Sequence, residues 1–586
     1  VKRPFLISAF FALLILFGIG CRFYNLNWDE GAQLHPDERF VARMVNEIGL
    51  ARPYFNSAFS PLNPINLKAN YVYGQFPLLI AKLAAQLFSK NDVVSIIYLG
   101  RYLSAIFDSF TVLLTFLIGR RLFETKWAFF AAMCVAIAAL HVQQSHFFVT
   151  DTFAATFITA SCWAGIRFAQ NHKRLDAVWM GLFWGLAMAC KISAIFWGIG
   201  VLGLFAVAVH RSHLKTNKWP PIFPTLVSLL LCVGIAFVAF RLSNPMAFRG
   251  EDNWGIFDIR LEPRFFAYLS QQSAITRGEV DIPFNVQWIG TTKWLFSFTN
   301  LGNWGYGWAI LLSGLGGILL LLKKRRGELL IAASFALFLF CFQGAQFSKF
   351  TRYFLPLTPF IGLLAAHFWR ELTDKKSIFQ YGALVTALWA GGWCWAVTSV
   401  YSQRHTRIEA SKWLVENLKP GTVVTNETGW DEGLPLSWLP TGNGNLKYQL
   451  LETYEPDTPE KRARMIEMLD KTEWLFFSSG RSWQNIPRWP EKWPMTYEFY
   501  SALWDGSLGF EKVREFTSYP RLGPFEFPDD NSEEALSVYD HPRVILWRKT
   551  KSYSHNQTSG ILNGIALPPE RQWRPNFDYK KLQPAQ

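Results

Sequence analysis

Long apolar runs separated by short charged segments fill the first 400 positions of the chain, and the pattern then changes. A helix needs about 20 mainly apolar residues to cross the hydrocarbon of a bilayer. Eleven stretches fit: 5–21, 95–119, 127–145, 150–169, 176–190, 192–209, 222–241, 304–322, 328–346, 353–369 and 379–400. The spacing predicts a mostly α, polytopic membrane protein with about 11 transmembrane helices. From position 401 the runs shorten. "TRIEASKWLVENLKPGTVVTNE" predicts an amphipathic helix stopped at Pro420-Gly421 and then a strand. "YQLLETY", "EWLFFSS" and "RVILWRK" predict further strands, with "TPEKRARMIEMLD" a helix between two of them. Alternating strands and helices make residues 401–550 an α/β domain. Ser, Asn, Pro and Gln dominate 551–586, which predicts a flexible tail.

Residues 1–400 form the membrane module, with two long polar insertions at 22–94 and 242–303. The first holds an amphipathic helix candidate, Asp37 to Gly49, and the aromatic run "NYVYGQFPLL" from Asn70 to Leu79. The second brings Trp254, Trp288 and Trp294 among Arg and Pro residues. Such rings favour the boundary where apolar faces meet lipid and polar atoms meet water.

Composition agrees. Of 586 residues, 50% are hydrophobic, with 26 Trp and 52 Phe, which is too apolar for an ordinary soluble enzyme of this length. A net charge of +14 would suit nucleic acid if it formed one patch, but the cations sit in separate short loops and act as topology signals instead. Lys and Arg near helix ends stay on the cytoplasmic side. With the amino terminus inside, the inner segments hold Lys2, Arg3, Arg120, Arg121, Lys126, Lys173, Arg174, Arg211, Lys215, Lys218, Lys323 to Arg326, Arg370, Lys375 and Lys376. The short outer connections hold only Lys191, Lys349 and Arg352. Both long insertions and the α/β domain then face outward. The first stretch lacks a small-x-small cleavage site after Gly20, so it is expected to stay as a signal anchor. Cysteines 21, 134, 162, 190, 232, 341 and 394 lie in or beside membrane stretches without zinc-site spacing, and are expected as small core residues. Asn426-Glu427-Thr428 and Asn556-Gln557-Thr558 match the glycan acceptor pattern, which is short enough to arise by chance.

Candidate chemistry gathers on the outer face. "WDEGAQLHPDERF" places Asp29, Glu30, Asp37 and Glu38 just past the first membrane stretch. Pro36 suits the first turn of a helix, and Asp37 with Glu38 then lies at its positive end. "HVQQSHFFVTDTFAATF" places His141, His146 and Asp151 where one apolar stretch ends and the next begins. "GLAMACKISAIFWG" carries Lys191 in an otherwise uncharged run, and "FSKFTRYFLPLTP" presents Lys349, Arg352 and Tyr353. Each has an ordinary alternative: a helix cap for Asp151, and lipid headgroup contact for the cations. Anionic lipid accounts for the cations alone and leaves the acids unexplained. Together they suit group transfer from a lipid-linked phosphate. A carboxylate takes a proton from an acceptor hydroxyl, while fixed cations neutralise the growing charge on the leaving phosphate. Direct displacement needs one base, not the carboxylate pair of a glycoside hydrolase.

At these residues the chain resembles the C-type glycosyltransferase superfamily, in the family 39 group of protein O-mannosyltransferases and the lipid A aminoarabinose transferase. The resemblance runs from the first stretch to about residue 370. "HPDERFVARMVNEI" is similar to the group's first-loop acidic motif, which implies Asp37 as base and Glu38 as its neighbour. "RYLSAIFDSFTVLLTFLIGRRLF" resembles its second membrane helix, and "FFVTDTFAATF" its second-loop Asp, here Asp151. "GLAMACKISA" resembles the segment whose lysine approaches the lipid phosphate, and "RYFLPLTP" the late arginine-tyrosine motif, giving Lys191, Arg352 and Tyr353. "RGEVDIPFNVQW" and "EEALSVYDHPRVILWRK" are similar to a bacterial subset with an outer α/β domain. Ile192-Ser193 replaces the Gly-Pro that follows the lysine in the aminoarabinose branch, and a Trp-Trp-Asp oligosaccharyltransferase signature is missing.

The resemblance implies a C-type glycosyltransferase fold in a bacterial cytoplasmic membrane. It implies transfer of a hexose or pentose, with inversion, from a polyprenyl-phosphate sugar to a lipid, glycan or protein acceptor, without a required cofactor. Arg101 is a further candidate for the donor phosphate; Asp29, Glu30, His146 and Trp288 are candidates for substrate binding. Asp29-Glu30 can also serve as the base in place of Asp37. Asp29, Asp37, His146 and Asp151 can hold a divalent ion if they meet in space. A lipid or polymer transporter would need charge continuing to the inner face, and the third to sixth stretches show almost none. A non-catalytic scaffold with a partner-binding outer domain is the other alternative. Catalysis at one pocket requires Asp37 within about 15 Å of Lys191 or Arg352, since a base acts at hydrogen-bond range.

Overall fold

The computed structural model describes residues 2–48, 73–217, 222–249, 257–323, 326–427 and 433–567. Gly49, Asn70 to Val72, Trp254, Lys218, Lys324, Arg325, Thr428 and the last nineteen tail positions, 568–586, lie outside them. The chain divides into two compact units. One comprises 1–26, 37–273 and 293–398; the other comprises 27–36, 274–292 and 399–586. Two short segments assigned from sequence to the membrane module, 27–36 and 274–292, thus belong to the second unit.

The first unit is helical. In chain order its helices are α1 (Lys2–Phe23), α2 (Pro36–Glu47), α3 (Phe76–Leu87), α4 (Val93–Leu122), α5 (Thr125–Ala136), α6 (Ala139–Ser145), α7 (Asp151–Asn171), α8 (Arg174–Cys190), α9 (Gly198–Thr216), α10 (Ile222–Ser243), α11 (Pro263–Thr276), α12 (Leu295–Asn300), α13 (Trp308–Lys323), α14 (Gly327–Ala345), α15 (Thr358–Lys375) and α16 (Phe379–Thr398). Every apolar stretch read from the sequence falls on helix. Among the described residues six helices are long and apolar enough to cross a membrane, or seven if α5 and α6 count as one bent span. α8 and α13 are shorter, and α7 and α15 carry more polar residues. This is a multi-pass membrane protein.

The helices pack through small residues, as expected where lipid gives no hydrophobic drive between them. α8 lies against α7 and α10, α13 against α15, and α4 against α5 and α7. Gly181 sits so close to α10 that a Cβ there would be 2.2 Å from the Cys232 carbonyl oxygen. The third apolar stretch is bent by 56° between α5 and α6. A break frees carbonyls that lipid cannot satisfy. Arg22, fully buried at the end of α1, supplies the donors: it bonds the carbonyls of Val135 (2.9 Å) and Ala136, and its Nε meets Asp108 at 2.7 Å.

The second unit is an α/β domain. Its helices are α17 (Thr406–Asn417), α18 (Pro459–Lys471), α19 (Pro494–Trp504) and α20 (His555–Asn563). Its strands are β1 (Val423–Asn426), β2 (Lys447–Leu450), β3 (Trp474–Phe477), β4 (Phe510–Phe516), β5 (Arg521–Leu522), β6 (Phe525–Glu526) and β7 (Val544–Lys549). The main sheet runs β2-β1-β3-β7-β4, with β1 parallel to β2 and β3, and β7 antiparallel to β3 and β4. β5 and β6 form a separate hairpin. The segment expected as a flexible tail opens with α20, which buries Leu562 completely.

Polar clusters hold this unit together. Lys461 donates to Thr453 O, Glu455 O, Asp457 and Thr496 at 2.7–2.9 Å, and Asp457 also accepts the Met495 and Thr496 amides at the start of α19. His541 lies between Asp540 (2.5 Å) and Asp529 (2.6 Å). Burial opposes its charge, but the two carboxylates prevail and raise it to about 10. Asn426 is buried in β1, so that acceptor pattern is closed to a glycan.

Candidate active site at the helix mouths

Five chain segments of the helical unit converge on one charged cluster. Pro36 starts α2, so Asp37 enters its first turn, where the helix dipole favours a carboxylate. Asp37 Oδ2 accepts Nη1 of Arg352 at 2.8 Å, and the Tyr73 hydroxyl lies 3.5 Å away. Arg352 and Tyr353 sit on the 3-10 turn Thr351–Leu357 that leads into α15. Asp151 is the first residue of α7, and its Oδ1 accepts Lys191 Nζ at 2.6 Å. Lys191 ends α8, with its ammonium 4.3 Å from the Tyr353 ring centre. Charges on Asp37, Asp151, Tyr353 and Arg352 all act on Tyr73. The required proximity of base and cation is therefore met at contact distance.

The backbone fixes these parts. Gly74 packs on the end of α8: its amide bonds the Cys190 carbonyl at 3.0 Å, and a Cβ would fall 2.0 Å from Ala189 O. That contact holds Tyr73 beside the end of α8, where Lys191 follows. The cluster keeps access to its surroundings, with side-chain exposures of 28% for Asp37, 14% for Arg352 and 22% for Lys191. The buried Nε of Arg352 has no hydrogen-bond partner among the described residues.

Other candidates have different places. Glu38 is fully buried: it takes Nε and Nη2 of Arg101 at 2.9 and 2.6 Å and the Phe148 amide at 2.6 Å. Arg101 spends Nη1 on Leu26 O at 2.9 Å, so its guanidinium is committed to Glu38 and the backbone rather than presented to a phosphate. Both rings nitrogens of His146 face carbonyls, those of Val142 and Tyr24, each at 2.8 Å, and the side chain is buried. Asp29, Glu30 and Trp288 belong to the α/β unit. Asp29 accepts the Gly31 and Leu34 amides at 3.3 Å, Glu30 pairs with Arg404 at 2.7 Å, and Trp288 is 1% exposed, which leaves no face for stacking on a sugar. Lys349 bonds Phe347 O at 3.0 Å and is buried. Among the described residues no group of three or more His, Cys, Asp or Glu is placed to hold a metal ion.

Two participants escaped the sequence reading. Tyr73 carries no charge and precedes its helix, so only the fold reveals its neighbours. Asp108 carried a legible signal, an acid inside an apolar span, which is costly without a partner. It joins Arg22 to His141 Nδ1 at 2.5 Å, all three fully buried.

Residues 76–237 match the family described as dolichyl-phosphate-mannose-protein mannosyltransferase. The chain resembles a C-type glycosyltransferase. The matched segment runs from α3 into α10 and includes Arg101, His146, Asp151 and Lys191. Solved structures with a similar course include the oligosaccharyltransferase AglB from Archaeoglobus fulgidus, in complex with an inhibitory peptide and a dolichol-phosphate. That likeness covers 94% of this chain and 89% of AglB, at 13% identity and a TM-score of 0.45. ArnT from Cupriavidus metallidurans, bound to undecaprenyl phosphate, is similar over 92% of this chain and 98% of its own, at 12% identity and a TM-score of 0.44. No curated protein matches the chain.

Proposed function

We propose that this protein is a membrane glycosyltransferase that moves a hexose or pentose from a polyprenyl-phosphate carrier to a lipid, glycan or protein acceptor, with inversion, on the outer face of a bacterial cytoplasmic membrane. The supporting observation is the convergence of Asp37, Arg352, Asp151 and Lys191 at helix mouths. In this reading the donor phosphate takes Arg352 and Lys191 from their resting carboxylates. Arg352 Nε, free of other bonds, adds a second contact to an anion. Asp37, released from Arg352, receives the proton of the acceptor hydroxyl. The acceptor oxygen bonds to the anomeric carbon while the bond from that carbon to the phosphate oxygen breaks, and the carrier leaves as polyprenyl phosphate. The two cations offset the charge gathering on that oxygen. Asp151, released from Lys191, orients the acceptor or the sugar. Tyr353 shapes the wall beside Lys191. Glu38 and Arg101 act one step removed, by fixing the first turn of α2 on which Asp37 stands.

The amino terminus is then cytoplasmic and the α/β unit extracytoplasmic. Charge neutralisation is assigned to Lys191 and Arg352, so the reading calls for no bound metal. Lipid that co-purifies with the full-length protein should contain an isoprenoid phosphosugar by mass spectrometry. Release of polyprenyl phosphate should fall by about 10²–10⁴-fold in Asp37→Asn. Undiminished release in that variant would remove Asp37 from the mechanism.

A further inference from the structure

β5 and β6 stand apart from the main sheet as a short hairpin whose turn is Gly523-Pro524. Gly523 has φ +60°, the left-handed value that opens a type II′ turn, and Pro524 suits the next position, where φ is negative. Residues directly opposite in an antiparallel pair share a face, and neighbours along a strand take opposite faces. Arg521 lies across from Glu526, and the two form an ion pair at 2.7 Å. Leu522 lies across from Phe525 on the other face. That apolar face is exposed: Leu522 at 41% and Phe525 at 67%, the highest value of any large hydrophobic residue described in the α/β unit.

The hairpin is tied to the point where the chain leaves the last membrane helix. The Arg521 amide donates to Ser399 Oγ at 2.9 Å, and β5 packs on the 3-10 turn Ser399–Ser402. Ser399 follows Thr398, the last residue of α16. α16 has 20 residues, about 30 Å of helix, which matches the thickness of the hydrocarbon. Thr398 therefore stands at the hydrocarbon boundary. Leu522 begins one strand residue, about 3.4 Å, beyond the bond to Ser399. The polar layer outside the hydrocarbon is about 5–8 Å deep, so the hairpin has the reach to lie within it.

We propose that the β5–β6 hairpin is a lipid-binding wedge, with Leu522 and Phe525 entering the interfacial layer of the bilayer that α16 spans. Pro524 has no N–H, which lowers the cost of taking the turn out of water. Arg521 and Glu526 cancel on the opposite face, so the contact is apolar insertion rather than attraction to anionic headgroups. A second copy of the chain fits the face poorly. Two exposed side chains offer far less than the roughly 1,000 Å² that a stable protein interface buries. The inference needs only that α16 spans the bilayer, and is independent of the sugar-transfer chemistry. The wedge gives the α/β unit a second hold on the bilayer beside the peptide link at Ser399, and so restricts its swing about that link.

The test uses the full-length protein in nanodiscs of zwitterionic lipid. Cys341, the exposed cysteine, is first removed as Cys341→Ser. A nitroxide is then attached at Phe525→Cys and, as a water-facing control, at Glu467→Cys on the exposed side of α18. Electron paramagnetic resonance reads collisions with oxygen, which concentrates in lipid, and with a neutral nickel chelate, which stays in water. The oxygen-to-nickel ratio at position 525 should exceed that at position 467 several-fold. A ratio at 525 equal to the control would overturn the proposal. Dipolar broadening between labels on two copies would also overturn it, by assigning the face to a second chain. Leu522→Cys repeats the measurement should Phe525→Cys fail to fold, and loss of transferase activity in Asp37→Asn is read separately.

Discussion

Asp37 and Glu38 are neighbours in sequence, yet they belong to two electrostatic regions with different designs. At the helix mouths, the pairs Asp37–Arg352 and Lys191–Asp151 leave part of each cation accessible. Deeper, Glu38–Arg101 and Arg22–Asp108–His141 are sealed at 0% exposure, and further bonds to backbone groups occupy them. A buried ion pair must recover a desolvation cost of several kcal/mol per ion, so only such multiply bonded pairs persist in the interior. A pair at a partly open mouth has a smaller cost to recover and can exchange partners. Exposure, rather than charge itself, separates the groups placed for chemistry from those that hold the scaffold.

That contrast is broken most directly by swapping the neighbours. Glu38→Gln leaves Arg101 buried without its counter-charge, which costs about 3–5 kcal/mol, so folded yield and thermal stability in detergent should collapse. Asp37→Asn should fold normally and lose about 10²–10⁴-fold in polyprenyl phosphate release. Equal stability losses in the two variants would erase the distinction drawn here. Lys191→Met should lower turnover by about 10²-fold, and Arg352→Lys by less, since a point charge remains but the forked contact is gone. Steady-state kinetics with a lipid-linked donor would show whether the loss falls on kcat, as leaving-group stabilisation requires.

In the α/β unit a sealed cluster should reveal itself through pH. His541 has its folded pKa raised from 6.5 to about 10 by Asp540 and Asp529 against the opposing effect of burial. Its contribution is complete below about pH 6.5 and is lost as pH rises through 10. Hydrogen exchange of Val544–Lys549, corrected for intrinsic rates, should show protection falling over that window in the wild type and a flatter profile in His541→Gln. The smallest effect is expected from chelation: activity after EDTA should match the untreated enzyme, because the assigned charge carriers are side chains.

Much of the architecture was legible because both of its patterns are periodic. Apolar runs marked the long helices and missed the shorter apolar α3, and the strands β1, β3 and β7 are short apolar blocks with clear boundaries. β4 was hidden: "FEKVREF" is largely charged and exposed, as an edge strand tends to be, so its composition resembles a loop. The break in the third stretch was also silent, since no Gly or Pro lies between α5 and α6 and the cap at the break comes from Arg22, far away in sequence. In the candidate site, charge at helix mouths marked Asp37, Asp151, Lys191 and Arg352. The same rule overcounted, because charge alone cannot tell whether Arg101 meets a phosphate or Glu38. Nor can residue type show that Trp288 is buried.

The four side chains paired at the mouths have a further consequence for selectivity. Two acids and two bases cancel, so the unliganded cleft presents almost no net field to a passing anion. On the proposed transferase reading, free inorganic phosphate would have to displace both carboxylates and would gain only its contacts to Arg352 and Lys191. On that reading a carrier whose tail is already held by lipid supplies further free energy, so the neutrality of the four side chains would favour the tethered donor.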